Sequence, residues 1–253
     1  RQRQMCIRDS PRAWLDSILT YPRFIGTFKP HLMKSSAQEL ELRLDMMSKS
    51  CWPKNLECPL GKRILVVAPH PDDETIGCGG LLLQHKDKSE IKIINIFNGD
   101  GGGALEEGPW ENTSSYRDRL VEIRKVELDK AARELGANEV TRLGISECNT
   151  QITDKEIDIF RAKAVSFKPD LVLVPWLFDK HPHHQIACAL VAKACKGLDF
   201  MTLSYEVWGM LAMNAFLNVS RESIIKKSIM KLYKSQTKGF DYLRLIDGIE
   251  KTR

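Results

Sequence analysis

Ile64-Leu65-Val66-Val67-Ala68-Pro69-His70-Pro71-Asp72-Asp73-Glu74 is the stretch whose reading decides the fold. Ile64 to Ala68 is a short, β-branched apolar run bounded by Gly61 and Pro69, the pattern of a strand buried on both faces. It ends on one imidazole and three carboxylates. Thr75 to Gln84 predicts a helix, entered through a Gly-rich turn, Gly77-Cys78-Gly79-Gly80. Further strands are predicted at Ile91 to Phe97, Val140 to Ile145, Leu171 to Pro175 and Met201 to Trp208. Helices are predicted between them at Ser115 to Leu135, stopped by Gly136, at Thr153 to Phe167 and at His184 to Lys196. Strands alternating with helices mean an α/β fold with a mainly parallel sheet, helices on both faces and right-handed crossovers.

Ligands of such sheets bind outside the carboxyl ends of the strands. His70, Asp72 and Asp73 follow the first strand of this series, Asp100 the second, and His181 and His184 the fourth. Three polar loops are therefore expected on one edge.

Those residue types suit a metal-assisted hydrolysis. A catalytic zinc site takes three protein ligands and keeps one position for water. His70 and Asp73, three apart in a turn, can share an ion that His184 completes; the same donors suit iron(II). Zinc lowers the pKa of its water to about 7. Hydrolysis of an amide also needs a base, an oxyanion stabiliser and an acid. Asp72, beside a ligand but pointing elsewhere, is the candidate base. His181 is the candidate for the oxyanion and for protonating the amine.

Ala68 to Glu74, followed by Gly77 to Gly80, resembles the signature of the PIG-L/LmbE family of de-N-acetylases. His181-Pro182-His183-His184 matches that family's second motif at three of four positions. Arg124 to Glu127 with Ala131-Ala132 and Leu135-Gly136, and Lys231 to Gln236 with Ser235-Gln236, are also similar, so the likeness covers about residues 62 to 245. The resemblance implies a Rossmann-like fold and an N-acetylglucosamine-containing substrate. It implies zinc ligation by His70, Asp73 and His184, Asp72 as base, His181 as oxyanion stabiliser, and Arg124 as an arginine that helps position the substrate. The departure is His183, where the family usually has Asp. An acid there would orient or charge the first histidine. Either Asp179 takes over that role, or His181 has a lower pKa here.

The rest of the chain sets bounds. A hydrophobic content of 43% allows a full core, and 253 residues fit one α/β domain. No run of roughly 18 apolar residues exists, so no transmembrane helix is expected. No leader pattern opens the chain. The seven scattered cysteines, with no CxxC, read as reduced thiols of a cytoplasmic protein. Met5 to Ser10 reads as a translated sequencing adapter, so residues 1–10 are set aside as non-native. They carry a net +2 of the chain's +5. The remaining +3 is too mild to imply nucleic-acid binding. Residues 11–60, with a helix over Ser36 to Met47, are read as an N-terminal extension. Residues 61–253 are read as the deacetylase-like domain, its abrupt end read as the boundary of a fragment.

Lesser signals have two readings each. Gly99 to Gly103 fit no nucleotide motif and read as a pocket rim, with Asp100 available for a sugar hydroxyl. Trp110, Trp176 and Trp208 fit either sugar stacking or the core. Lys226, Lys227, Lys231 and Lys234 read as a basic helical face, solvated or meeting an anionic lipid or sugar phosphate. The leading function is a sugar de-N-acetylase. The alternatives are a metal amidase on another amide, such as a thiol conjugate, and an inactive metal-binding module.

Overall fold

Alternate residues of the first core strand enter different cores. Ile64, Val66 and Ala68 join one hydrophobic cluster, while Leu65 and Val67 join a second on the opposite face of the sheet. All five are at most 1% exposed, so the strand is covered on both sides. That is the structural reason for its unbroken apolar run.

The computed structural model describes residues 4–7, 53–105, 111, 113–148, 150–209 and 213–252. The expected helix over Ser36 to Met47, and Trp110, lie outside the described residues. In chain order the elements are β1 (Gln4–Ile7), β2 (Lys54–Leu56), β3 (Arg63–Ala68), α1 (Asp73–His85), β4 (Glu90–Phe97) and α2 (Ser114–Glu134). Then come β5 (Glu139–Ile145), α3 (Asp154–Phe167), β6 (Leu171–Pro175), α4 (Pro182–Ala194), β7 (Met201–Tyr205) and β8 (Ala215–Asn218). Helices α5 (Ser223–Met230), α6 (Lys234–Thr237) and α7 (Tyr242–Thr252) follow.

The main sheet has five strands in the order β5-β4-β3-β6-β7, all parallel. The chain starts at the centre, winds to one edge, then returns to wind toward the other. The reversal falls between β3 and β6, which are hydrogen-bonded neighbours. Side chains of α3 and α4, including Phe160, Phe167, Ala187 and Val191, cover one face. Side chains of α1, α2 and the C-terminal helices, including Leu81, Leu128, Met230 and Tyr233, cover the other. This is the single α/β domain with a mainly parallel sheet that the sequence predicts. A second, three-stranded sheet pairs β8 with β2 in parallel and with the backbone of β1 antiparallel. β1 lies in the ten residues set aside above, and pairing of this kind uses main-chain groups alone.

Four details differ from the sequence reading. Helix α1 begins at Asp73, so Gly77 to Gly80 lie inside it and form no entry turn. The reason is close packing: a Cβ on Gly77 would stand 2.1 Å from Tyr205 Cδ2, and one on Gly80 2.6 Å from Val219 Cβ. Helix α4 begins at Pro182, with His181 in the capping position and proline in the first turn. Strand β7 ends at Tyr205, because the N–H groups of Trp208 and Gly209 turn from the sheet to the Asp179 carboxylate. The basic face is split. Lys226 is buried against Glu250 at 3.3 Å and Lys227 pairs with Asp247, which fastens α5 to α7. Lys231 and Lys234 stay exposed. Among the described residues no helix is long and apolar enough to cross a membrane.

Gly77→Ala should test the approach of α1 to Tyr205, whose hydroxyl donates to the Val67 carbonyl at 2.6 Å. A loss of about 1–3 kcal/mol in urea unfolding is expected from overpacking. Gly248→Ala, in α7 with open space around it, is expected to lose nothing and to gain up to about 1 kcal/mol. A parent-like midpoint for Gly77→Ala would show that the helix can move away freely.

Candidate metal and catalytic site

The turn after β3 is built around two carboxylates with different jobs. Asp73 opens α1 and folds back, so that its Oδ2 accepts from the His70 N–H at 2.9 Å and faces His70 Nδ1 at 3.1 Å. His184, from the first turn of α4, brings its Nε2 to 3.2 Å from the same oxygen. One carboxylate oxygen thus gathers two imidazoles from the two strands that flank the reversal in the sheet. Ring nitrogens of His70, His181 and His184 also lie within 4.8 Å of one another.

Asp72 occupies the capping position of α1 with φ of 131°, a conformation rarely open to a side chain. Its N–H is held by Glu74 Oε2 at 3.1 Å, and Glu74 is held in turn by the Tyr233 hydroxyl. That geometry turns the Asp72 carboxylate away from Asp73 and toward Arg124, with Oδ2 3.4 Å from Nη2. Arg124 is 3% exposed. It donates to the carbonyls of Pro71 at 2.8 Å, Gly99 at 3.2 Å and Gly102 at 3.1 Å. Gly99, at φ of 84°, has to lack a side chain, since a Cβ would sit 2.6 Å from Arg124 Cδ. Arg124 is therefore a buried residue whose two terminal nitrogens are held by the protein, while its Nε makes no hydrogen bond among the described residues. It lines the cavity and clamps the loops after β3 and β4.

Electrostatics divides the acids further. Burial pushes the Asp72 carboxyl well above the usual range; Arg124 opposes this, while Asp73, Glu74 and Glu147 add to it. Burial acts the same way on Asp73, but His184 and His70 outweigh it and hold that carboxyl well below its usual value. Burial lowers His70 to about 4, against the pull of Asp73. Burial also works against charge on His184, yet Asp73 and Asp179 raise it to about 10. His181 is lowered by burial and by His184, and His183 is lowered to about 4 by burial and its histidine neighbours.

Asp100 has another geometry from the one expected. Its two oxygens accept from the Ser146 hydroxyl at 2.6 Å and the Glu147 N–H at 2.7 Å. It sets the turn after β5 that carries Glu147 into the site. A Glu147 oxygen stands 3.9 Å from Arg124 Nη1 and makes no hydrogen bond among the described residues. Asp179 is fully buried. It accepts from the His181 N–H at 2.9 Å and lies 3.5 Å from His184 Nδ1, so it serves His184 and touches His181 through the backbone.

These groups surround a cavity of about 180 Å³ lined by His70, Asp72, Asp73, Arg124, Glu147 and His181, with Trp208, Gln236 and Tyr242 on the wall from the C-terminal third. Trp208 is thus at the site, whereas Trp176 is buried against Phe178. Sequence reasoning missed Glu147 and Tyr242, and marked Gln236 as similar to the family without giving it a role. Glu147 carried a signal, since it follows β5 as Asp100 follows β4. Gln236 is steadied by the Gly102 carbonyl at 3.2 Å, and its neighbour Ser235 donates to both oxygens of Glu127 at 2.8 and 2.6 Å. Two of the familial sequence elements, on α2 and α6, therefore hold each other.

The sequence profile of the family described as PIG-L, GlcNAc-PI de-N-acetylase, matches residues 65–195, just over half of the chain. The chain belongs to the PIG-L family. Among curated PIG-L-like relatives, it is 28% identical over 193 residues to a probable N-acetyl-alpha-D-glucosaminyl L-malate deacetylase 2 of Bacillus subtilis, covering 70% of this chain and 85% of the relative. It is 30% identical over 133 residues to the diacetylchitobiose deacetylase of Thermococcus kodakarensis, covering 50% of this chain and 46% of that one. The fold is shared with the N,N'-diacetylchitobiose deacetylase of Pyrococcus horikoshii, with a TM-score of 0.60 at 20% identity, over 83% of this chain and 82% of that one. A conserved protein from Thermus thermophilus aligns with a TM-score of 0.61 at 22% identity, over 75% and 86%. The PIG-L profile ends at residue 195, so Trp208, Gln236 and Tyr242 join the site through the fold.

Arg124→Met would leave Asp72 buried without its cation, the Pro71 and Gly99 carbonyls without a donor, and the Gly102 carbonyl with Gln236 alone. A stability loss on the order of 3–5 kcal/mol is expected in denaturant unfolding. Arg124→Lys should recover only part, because an ammonium cannot span three carbonyls as a planar fork does. Equal unfolding midpoints for Arg124→Lys and the parent would mean that the charge alone suffices.

Proposed function

We propose that this PIG-L member is a metal-dependent hydrolase that removes the acetyl group from an N-acetylglucosamine-containing substrate, with His70, Asp73 and His184 holding the ion. The observation that carries the reading is the meeting of His70 Nδ1 and His184 Nε2 at Asp73 Oδ2, with Asp72 held apart beside the same cavity. The donor set fits a divalent ion. Two ligands at about 2.0–2.1 Å from a tetrahedral zinc stand about 3.3–3.4 Å apart, close to the 3.1 and 3.2 Å found here. Both ring nitrogens of His184 are buried without a hydrogen bond among the described residues, as suits a ligand. Two imidazoles and a carboxylate suit zinc and also iron(II). The names of the curated relatives support an amino-sugar substrate.

A bound zinc supplies Lewis acidity and water activation at neutral pH. The protein does the rest. Asp72 accepts the proton of the attacking water: burial raises its affinity for that proton, while Arg124 beside it opposes the effect and favours the anion from which the step starts. His181 Nδ1 accepts from the His183 N–H at 3.3 Å, which leaves Nε2 as the donor. That donor would meet the oxygen that gains charge as the carbonyl is attacked. Protonation of the leaving nitrogen then falls to Asp72, which returns the proton it took. The acid role read for His181 needs an imidazolium, which its burial disfavours. The cavity is small beside the roughly 300–1,000 Å³ of pockets for drug-sized ligands, so it would admit the acetamido ring and leave the aglycone outside. Within it the free oxygen of Glu147, rather than Asp100, is the acceptor for a sugar hydroxyl, and Trp208 offers a face for stacking.

Acetate release from a panel of N-acetylglucosamine conjugates, with and without chelator, tests this directly. Turnover that disappears with chelator and returns with Zn²⁺ is expected. Unit zinc binding with no turnover on any acetamido sugar would remove the enzyme reading. Asp72→Asn should lower kcat by about 10²–10⁴, and His181→Ala by about 10²–10³, with zinc content unchanged in both. Parent-like rates in the His181 variant would take that residue out of the mechanism.

A further inference from the structure

His183, beside His184 on α4, is in contact with the site. His183 Nδ1 lies 2.8 Å from His70 Nε2, the nitrogen of His70 that faces away from Asp73. The His183 ring is held by Phe97, which stacks on it with centroids 4.3 Å apart and planes at 25°. Phe97 is fully buried at the end of β4, so its ring is a rigid support.

A metal-ligating histidine uses one nitrogen for the ion and donates the other N–H to a partner, which fixes its tautomer and orientation. Resting on the metal reading above, each histidine ligand turns its second nitrogen to a neighbour. His184 turns Nε2 to Asp73 and Nδ1 to Asp179. His70 turns Nδ1 to Asp73 and Nε2 to His183. The neighbour of His184 Nδ1 is a carboxylate 3.5 Å away, and that of His70 Nε2 is an imidazole at 2.8 Å, within hydrogen-bond reach.

We propose that His183 is the positioning residue for His70: its Nδ1 accepts the Nε2–H of His70 and so commits the His70 Nδ1 lone pair to the ion. His183 must then carry its own proton on Nε2. The bond joins two neutral groups, so it orients His70 without the charge that a carboxylate partner would add. His183 thus acts on His70 of the first motif, and His181 is left with its backbone tie to Asp179.

The test is Zn²⁺ affinity, measured on the folded protein by competition with a chromogenic chelator. His183→Phe keeps a ring for Phe97 but removes the acceptor. Asparagine places its Oδ1 near the position of histidine Nδ1, so His183→Asn keeps the acceptor. His183→Phe is expected to weaken Zn²⁺ binding about 10–100-fold, with His183→Leu as a second acceptor-free variant should the ring variant not fold. His183→Asn is expected to stay within about threefold of the parent. Parent-like affinity in the folded acceptor-free variant overturns the inference. So does equal weakening in the asparagine variant, which would point to His183 as a ligand itself or to packing alone. If the parent binds no Zn²⁺, the metal reading falls and this inference with it. Parent binding with an undiminished acceptor-free variant removes this inference alone.

Discussion

One oxygen of one carboxylate ties the two halves of the sheet together. Asp73 Oδ2 receives the His70 N–H and faces both His70 Nδ1 and His184 Nε2. His70 follows β3 and His184 follows β6, the strands between which the winding of the sheet reverses. Crossovers leave that point in opposite directions, so a crevice opens there. Asp73 draws its rims inward, and a buried anion facing two imidazoles is also where a cation is best stabilised. The rest of the site is arranged to keep other acids out of that centre: the strained Asp72 backbone, the grip of Glu74 on its N–H, and the Arg124 clamp.

A second theme is that residues with catalytic-looking chemistry are often braces. Asp100 shapes the loop that presents Glu147. Arg124 binds carbonyls of two loops. Glu74 joins its own turn to Tyr233, far along the chain. Each is ionisable, buried and near the cavity, and each has its hydrogen-bonding capacity largely taken by the protein. A small open cavity next to strained backbone needs such supports to hold its shape without substrate.

The strands were legible because buried parallel strands are written in consecutive β-branched residues, as in Ile64 to Ala68 and Leu171 to Val174. The gathering of His70, Asp72, Asp73, His181 and His184 was legible because strand ends in this topology share an edge. Helix starts were harder to read. Gly77 to Gly80 looked like a turn, since nothing local announces that Tyr205 and Val219 press on them. The C-terminal third was the least readable. Its helices are short, and their meaning lies in long-range pairs such as Lys226 with Glu250 and Ser235 with Glu127. Lys226 read as surface because its burying partner lies 24 residues away on another helix. The contact between His183 and His70 spans 113 residues, which no local pattern encodes.

The link from Glu74 to Tyr233 spans 159 residues. During synthesis at about 5–20 residues per second, the turn that carries His70, Asp72 and Asp73 would wait roughly 8–32 s for the hydroxyl that braces it. Gln236 and Tyr242, which close the wall of the cavity, emerge later still. The nascent chain can therefore assemble its sheet before it owns a finished pocket. The cluster of His70, Asp73 and His184 is brought together early, and the wall of the cavity is completed last.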